Sequence, residues 1–485
     1  MKSALVRATL KKPNLDSDVL KNYRPISNLT FLSKVLEKCV HIQLTDHITS
    51  AKLFAEYQSG YRKAHSCETA VLKIQNDILL MVDSKTHVVL MLLDLSAAFD
   101  TINHKLLIKR LKKDYGIDGF ILQWIESYLS NRSFNVTVNG SLSDGRSLDI
   151  GVPQGSILGP LLFILYTKGL EDIALKYGFH IHLYADDSQV YFSFNPRSSD
   201  NEGQLLKLKL CFMEIKQWMS MNFLKMNDSK TEIIELHGAK PIGPLRTSFW
   251  LSDDCECEVE PALSAKNLGF YFDSKLNLDV QISKVVQKCY INLRNIGRIG
   301  SKLSRSLKIQ LVHSMILSIL DMGNASYGGL TATQLNSLQK VQNSAVRFIF
   351  GIYGKNRRQH IGPYLKELHF LPVYYRIQYK ISMLVHKSLN NLAPKYVADM
   401  IQPRTESCYG ARKNDDPFLL IPPSAPRYVK TAGAFSHSAP NTWNRLPYGI
   451  RCIGDLSKFK TALKTHYFRQ AFKESTDAFD DIELL

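Results

Sequence analysis

The sequence contains no long hydrophobic segment. It has no run of about eighteen consecutive apolar residues, the length that spans a bilayer. The N-terminal residues MKSALVRATLKKPN also lack the apolar centre of a signal peptide. We therefore expect no membrane partner, and a location in the nucleus, the cytoplasm or both.

Cysteines at zinc-binding spacing are also missing. Among the 8 cysteines the closest pair is Cys255 and Cys257, which are nearer in sequence than the members of an ordinary zinc half-site. The scattered thiols predict a reduced protein rather than a disulfide framework. No segment recurs at a fixed period, which argues against a solenoid.

Basic residues, by contrast, are in excess and unevenly distributed. The net charge is +17, and residues 340–472 alone hold 21 basic and 6 acidic side chains, whereas residues 473–485 form an acidic tail. A basic C-terminal third predicts a polyanionic partner, most often a nucleic acid. Aromatic residues such as Tyr374, Tyr375 and Trp443 are interleaved with the charge. They would either stack on bases or form the core of a small helical domain.

Hydrophobic periodicity predicts a mixture of helices and strands. Strands are expected at 88–93 and 230–236, with a hairpin over 180–192. Helical spacing of apolar residues is found in the following segments: 31–48, 68–82, 105–113, 120–130, 157–170, 205–224, 278–299, 304–320 and 331–351.

The predicted hairpin, HIHLYADDSQVYF, carries two adjacent carboxylates at its tip. Apolar and polar residues alternate on both sides of Asp186 and Asp187, as in two strands joined by a tight turn. Neighbouring carboxylates raise each other's pKa unless a cation lies close by. The tip is therefore either a metal site or an ordinary solvated turn, in which Asp is common.

A third carboxylate follows another predicted strand. Val88–Leu93 is a continuous apolar run, typical of a strand that is buried on both faces, and Asp94 comes directly after it. If the strands are neighbours, three carboxylates converge at one edge of a sheet. Two divalent cations held there would activate a hydroxyl and stabilise the leaving oxygen in phosphoryl transfer. Hard oxygen ligands favour Mg²⁺, with Mn²⁺ as a possible substitute.

Several short motifs occur in a fixed order between residues 22 and 270. They are Asn22-Tyr-Arg-Pro-Ile-Ser-Asn28, Gln58-Ser-Gly-Tyr-Arg62, His65-Ser-Cys-Glu-Thr69, Leu93-Asp-Leu-Ser-Ala-Ala-Phe-Asp100, Gly151-Val-Pro-Gln-Gly-Ser156, Tyr184-Ala-Asp-Asp187, Lys230 within 227–232, and Asn267-Leu-Gly-Phe270. With these motifs the chain resembles the reverse transcriptases of non-LTR (LINE-type) retrotransposons. Two further matches, Leu368-His-Phe-Leu-Pro372 and Ala439-Pro-Asn-Thr-Trp443, resemble the elements that encode an apurinic-type endonuclease upstream.

The resemblance implies an α+β fold of the right-hand polymerase type. The expected parts are fingers at 1–85, a palm with a small antiparallel sheet at 86–275 that includes fingers insertions, and a helical thumb at 276–352. A basic, mostly helical C-terminal domain at 353–472 and the acidic tail at 473–485 follow. Residues 1–485 contain no segment that resembles the upstream endonuclease of those elements, so a separate endonuclease is expected to nick the target.

The resemblance also implies roles for individual residues. Asp94, Asp186 and Asp187 would bind two Mg²⁺ ions, and Lys230 would protonate the leaving pyrophosphate as a general acid. Phe99 would lie beneath the sugar of the incoming nucleotide and select deoxyribose.

Four further residues are implied in nucleotide binding. Gln154 and Gly155 would pack against the nascent base pair, where glycine permits close approach. Arg62, with Arg24, would bind the triphosphate, since a guanidinium matches phosphate oxygens.

The implied activity is RNA-directed DNA synthesis, with an RNA template, a DNA primer or target DNA, and dNTPs as partners. Two alternatives stay open. The chain could be a truncated or domesticated remnant that binds nucleic acid without polymerising. It could also belong to another lineage, such as the group II intron maturases, although the C-terminal motifs argue against this.

Overall fold

The computed structural model describes most of the chain. The described residues are 2–96, 98–138, 140–195, 201–227, 230–237, 249–250, 258–259, 261–352, 358–404 and 418–472. Cys255, Cys257 and the acidic tail lie outside these ranges. None of the helices within the described residues is both long and apolar enough to cross a membrane.

Strands and helices are mixed along the chain, which confirms the α+β class. The strands are β1 Ser3–Leu10, β2 Tyr23–Asn28, β3 His87–Leu93, β4 Leu95–Ser96, β5 Ser133–Val138, β6 Ser141–Leu142, β7 Arg146–Ser147, β8 His180–Tyr184, β9 Asp187–Phe194, β10 Lys225–Met226, β11 Glu232–Leu236, β12 Phe249–Trp250, β13 Glu258–Val259, β14 Ser264–Asn267 and β15 Phe270–Asp273. The helices are α1 Phe31–Ser50, α2 Cys67–Asp83, α3 His104–Tyr115, α4 Gly119–Leu129, α5 Leu158–Tyr166, α6 Gly169–Lys176, α7 Asn201–Met221, α8 Asp279–Gly297, α9 Arg305–Val312, α10 Ser318–Asp321, α11 Ala332–Phe350, α12 Gly362–Glu367, α13 Val373–Leu389, α14 Lys395–Ala398, α15 Phe435–Asn444, α16 Tyr448–Arg451 and α17 Leu456–Ala471.

A four-stranded antiparallel sheet lies at the centre. Its order is β11-β3-β9-β8, and the apolar strand β3 is buried on both faces, as its sequence predicts. The predicted hairpin forms β8 and β9, with Ile181 opposite Val190. Residue Gln58 extends the edge of the sheet through a parallel bridge to Leu183 of β8.

The sheet separates two hydrophobic cores. Val88 and Leu90 of β3 face a first core, which is built with α2, α8–α11 and the C-terminal helices. Val89, Met91 and Leu93 face a second core, which contains side chains of α1 and α3–α7. Because side chains alternate along a strand, Asp94 continues the series that faces the first core. That core runs from Val71 in α2 to Tyr467 in α17, so the C-terminal segment (residues 353–472) shares one core with the sheet.

A second sheet joins the N-terminal strands to the region 133–147, and none of its strands was predicted. Strand β1 pairs with β2 in the antiparallel and with β5 in the parallel sense, and β6 and β7 extend β5. Most of the side chains of β2 are exposed, so a clear alternation between apolar and polar residues is missing from its sequence. This sheet positions the loop 151–156, because the backbone N–H of Ser27 donates to the carbonyl oxygen of Gln154 at 2.7 Å.

Two predicted helices are interrupted. The stretch 157–170 divides into α5 and α6 at Thr167, whose hydroxyl donates to the carbonyl oxygens of Phe163 and Ile164. The stretch 304–320 consists of α9, a π-helical turn at His313–Leu317, and α10.

Three conspicuous rings of the C-terminal segment belong to its interior. Trp443, His386 and Tyr467 are at most 5 % exposed, and His386 stacks on Phe459 with ring centroids 4.0 Å apart. Tyr374, at 37 %, is exposed. The buried rings therefore form part of the core, and the alternative prediction, that bases stack on them, is wrong for these rings.

Candidate active site

The three acidic residues meet at one end of the central sheet. Strand β3 pairs with β9 so that Leu93 lies opposite Ser188, and one step further the register brings Asp94 to Asp187. Asp186 occupies the turn between β8 and β9. The strand register therefore juxtaposes residues that are far apart in sequence.

Two side chains from the segment before β11 hold Asp94. Lys230 Nζ lies 2.8 Å from Asp94 Oδ2 and forms an ion pair with it. Asn227 Nδ2 donates to the same oxygen at 3.3 Å, and the Asn227 backbone N–H donates to the Asp94 carbonyl oxygen at 2.9 Å. Lys230 is 62 % exposed, so its ammonium group is accessible from solvent.

The carboxylates perturb one another. Burial, followed by the charges of Asp186 and Asp94, raises the pKa of Asp187 to about 6. Burial and the charge of Asp94 also raise the pKa of Asp186, although the positive charges of Arg24 and Lys230 oppose this. Mutual repulsion of this kind marks a place where an added cation would stabilise the charged forms.

The donor set fits a divalent metal ion in its chemistry. Asp94, Asp186 and Asp187 supply hard carboxylate oxygens, the ligand type of Mg²⁺. Within the described part of the chain, no three acidic, histidine or cysteine side chains are already gathered into a liganding group. The Asp94 carboxylate contacts Lys230 instead, so metal binding requires a local rearrangement of these side chains.

The turn that carries Asp186 has a strained backbone. Ala185 has a φ of 58°, in the left-handed region that is unfavourable for residues other than glycine. Its N–H donates to Gln58 Oε1 at 3.1 Å, and the same oxygen accepts from the N–H of Gly60 at 2.8 Å. A β-carbon on Gly60 would lie 2.4 Å from the Ala185 nitrogen, so only glycine permits this approach. The loop 57–60 thus supports the turn.

A second loop, 151–156, packs against the segment 99–102, which follows β4, and against β2. The Val152 N–H donates to the carbonyl oxygen of Phe99 at 2.9 Å, and the Phe99 ring contacts that of Phe163 at 5.0 Å. Gly155 has a φ of 119°, and a β-carbon there would lie 2.6 Å from the Ser27 carbonyl oxygen. Phe99, Gln154 and Gly155 therefore belong to one connected unit.

Glu37 of α1 holds this unit, although it lies outside all of the ordered sequence motifs. Its carboxylate is buried, and Oε2 accepts from the N–H groups of Ile157 at 2.7 Å and Leu158 at 3.3 Å. Ser33 donates to Oε1 at 3.1 Å. The only available signal was an acidic residue within the apolar pattern of α1.

The two arginines differ in their surroundings. Arg24 is exposed on β2, and its charge is close enough to lower the pKa of Asp186. Arg62 Nη1 donates to the carbonyl oxygens of Ala55 and Gln58, and its guanidinium stacks on Phe54 at 4.7 Å. The charge of Arg24 therefore acts on Asp186, whereas the contacts of Arg62 stabilise the loop 54–58.

The sequence of the chain matches the profile of a known protein family. The sequence profile of the family described as reverse transcriptase (RNA-dependent DNA polymerase) matches residues 10–272, more than half of the chain. The matched segment contains all the acidic residues of the site and both supporting loops.

Individual relatives come from mobile elements. A probable RNA-directed DNA polymerase from transposon BS of Drosophila melanogaster is 28% identical over 355 residues, which cover 70% of this chain and 37% of that protein. The RNA-directed DNA polymerase from the mobile element jockey of the same species is 24% identical over 72% of this chain and 38% of its own length. Among solved structures, apo telomerase from Candida tropicalis aligns with a TM-score of 0.42 at 10% identity, over 82% of this chain and 67% of that one.

The chain spans little more than a third of the length of these two Drosophila relatives. The predicted resemblance to the enzymes of non-LTR retrotransposons is confirmed. The chain belongs to the reverse transcriptase (RNA-dependent DNA polymerase) family.

Proposed function

We propose that the chain is an RNA-directed DNA polymerase of a non-LTR retrotransposon, which extends a DNA 3′-hydroxyl on an RNA template and releases pyrophosphate. The observation that carries the proposal is the register of β3 and β9, which brings Asp94 to Asp187 beside the Asp186 turn. A chain of this family with all three carboxylates at one sheet end has the donors that nucleotidyl transfer requires.

Asp94, Asp186 and Asp187 are the proposed metal ligands. Two bound Mg²⁺ ions would supply Lewis-acid stabilisation of the attacking and leaving oxygens. Lys230 adds an accessible ammonium group next to Asp94, where it can give a proton to a departing pyrophosphate oxygen. The Asn227 amide fixes the Asp94 carboxylate from the same side.

The nucleotide is proposed to lie between the carboxylates and the loop 151–156. Phe99, held through Val152 and Phe163, would contact the sugar, while Gln154 and Gly155 would contact the base pair. Arg24 is the stronger of the two arginine candidates for the triphosphate, because its charge already acts on Asp186. Arg62 would contribute indirectly, through the loop that it stabilises.

The larger architecture is proposed to be that of a right-hand polymerase, with fingers at 1–85, a palm at 86–275 and a thumb at 276–352. In the C-terminal segment, burial followed by the charges of Lys460 and Lys380 lowers the pKa of Lys387. Such crowding of cations on α13 and α17 favours a phosphate backbone as partner. RNA template and DNA primer are the proposed nucleic acids.

Primer extension tests the proposal. The purified chain is given an RNA template with an annealed DNA primer, dNTPs and Mg²⁺, beside the variant Asp186→Ala. Extension by the unmodified chain and its loss in the variant are expected. Salt-dependent binding of the primer–template without extension would instead support a nucleic-acid-binding remnant, and extension by the variant would contradict the metal assignment.

A further inference from the structure

The C-terminal segment contributes a buried tyrosine to the centre of the molecule. Tyr396 of α14 is 3 % exposed, and its ring meets those of His182 and His65 edge-on, with centroids 5.1 and 5.6 Å apart. Its hydroxyl lies 2.7 Å from Ser59 Oγ and 2.9 Å from Thr69 Oγ1. One side chain therefore contacts both ends of the segment 59–69.

The hydrogen bonds of Tyr396 continue on both sides. Thr69 Oγ1 donates to the carbonyl oxygen of Ser66 at the start of α2 and bonds the Tyr396 hydroxyl. Ser59 Oγ bonds the same hydroxyl and lies 2.9 Å from His182 Nε2. The result is a chain of hydrogen bonds from β8, through Tyr396, to the start of α2.

The same residues hold the turn of the active site. The Ser59 N–H donates to the Leu183 carbonyl oxygen at 2.8 Å, and the Leu183 N–H donates to that of Tyr57 at 2.9 Å. Between them, Gln58 supports the strained Ala185, which directly precedes Asp186. Three hydrogen bonds thus connect the loop 57–60 to the backbone of Leu183 and Ala185, next to Asp186.

We propose that Tyr396 is a positioning residue for the polymerase reaction, which fixes the loop 57–60 through Ser59 and thereby the Asp186 turn. This inference rests on the proposed function and adds to it a C-terminal residue that touches neither metal nor nucleotide. The C-terminal segment then completes the active site besides offering a basic surface.

The variant Tyr396→Phe removes the central hydroxyl and keeps the ring. A matched control is Tyr467→Phe, because Tyr467 is 5 % exposed and its hydroxyl bonds Ser382 Oγ at 3.0 Å within the C-terminal segment alone. We expect Tyr396→Phe to lower kcat for single-nucleotide addition by about tenfold, with KM for the nucleotide changed by less than about twofold. Tyr467→Phe should leave both constants unchanged.

Hydrogen exchange of the 485-residue chain, without metal or nucleic acid, provides a readout that is independent of activity. Faster exchange is expected in peptides covering 57–62 and 181–187 in Tyr396→Phe, and wild-type exchange there in Tyr467→Phe. If the unmodified chain does not extend a primer while this exchange difference appears, the proposed function fails and the positioning contact stands. Wild-type exchange and wild-type kcat in Tyr396→Phe would overturn the inference.

Ser59→Ala keeps the test decisive if Tyr396→Phe does not fold. It breaks the same network from the other side and should reproduce the fall in kcat and the faster exchange. The double variant should be no worse than the poorer single variant, because both interrupt one chain of hydrogen bonds. Additive losses in the double variant would contradict a shared route.

Discussion

Glu37 Oε2 lies 2.7 Å from the backbone nitrogen of Ile157, so a buried carboxylate of α1 caps the first turn of α5. Unpaired N–H groups at a helix start attract negative charge. The loop 151–156 immediately precedes this turn and, in the proposed function, contacts the nascent base pair. The Glu37 cap therefore connects α1 to the loop that is proposed to contact the nascent base pair.

Replacing Glu37 by glutamine should weaken this cap while preserving its size. We expect the free energy of unfolding to fall by about 1–3 kcal/mol, the usual worth of hydrogen bonds to a charged group. Nucleotide addition should slow by about tenfold because the loop loses its support. Urea unfolding and single-nucleotide kinetics measure both effects. Glu126→Gln, on the exposed face of α4, is the control and should change stability by less than about 0.5 kcal/mol.

Asp187→Asn should abolish extension. It should also remove the contribution of this carboxyl group to the pH dependence of the free energy of unfolding. The folded-state pKa of Asp187 is about 6, above the ordinary value of 3.8, so the folded chain holds this proton more tightly than the unfolded chain does. In metal-free buffer this group destabilises the protein as pH rises from about 4 to about 6. Urea unfolding in EDTA should show that the wild type loses stability relative to the variant as the pH rises from about 4 to about 6; a difference between the two that does not change with pH would refute the raised pKa of Asp187.

Lys230→Ala should slow nucleotide addition by about 10²-fold, which is typical for loss of a general acid. The Lys230 side chain is 62 % exposed, so the free energy of unfolding should change by less than about 1 kcal/mol. Rapid-quench kinetics and thermal unfolding separate the two effects. Lys225→Ala, exposed on β10, should leave the rate unchanged, and an equal loss there would point to a general charge effect.

Phe99→Val should relax the choice of sugar. A smaller side chain removes the obstacle to a 2′-hydroxyl, so the preference for deoxyribonucleotides over ribonucleotides should fall by about tenfold or more. The ratio of kcat/KM for dNTP and rNTP on one primer–template measures the change. An unchanged ratio would show that Phe99 serves only to pack against Phe163.

His182 should make the protein sensitive to acid. Burial lowers its pKa from 6.5 to about 3, so the folded chain keeps the ring neutral while the unfolded chain binds a proton. The contribution of His182 to the free energy of unfolding is therefore fully present above pH 6.5. It is lost as the pH falls towards 3, by up to about 1.4 kcal/mol per pH unit. Urea unfolding between about pH 7.5 and about pH 4.5 should show a shallower loss in His182→Gln. His360→Gln, at an exposed position, should follow the wild type.

The central part of the fold follows from short-range patterns in the sequence. The apolar run before Asp94 and the alternation around Asp186 predict β3, β8 and β9. A buried strand needs apolar residues at successive or alternate positions, and this pattern is visible in the sequence. The acidic residues themselves were identified by these strands and by motif order. Their roles, like those of Arg24 and Arg62, stay predictions.

The supporting residues could not be predicted from local patterns. Glu37, Gln58 and Tyr396 act through partners that are distant in sequence, and an isolated glutamate or tyrosine carries no signal of such a partner. The N-terminal sheet was missed because it joins β1 to β5 across more than a hundred residues. The break at Thr167 depends on a side chain that competes with the helix for carbonyl oxygens.

The first core has a consequence for the order in which the protein matures. The carboxylates and the hairpin are translated well before the C-terminal helices, whereas that core also needs residues as late as Tyr467. Contacts at such separation form late, since long loops must close before they are made. A nascent chain can thus display its acidic residues before the core behind them exists. Competence for DNA synthesis should therefore arise only after α17 has been translated and packed into this core.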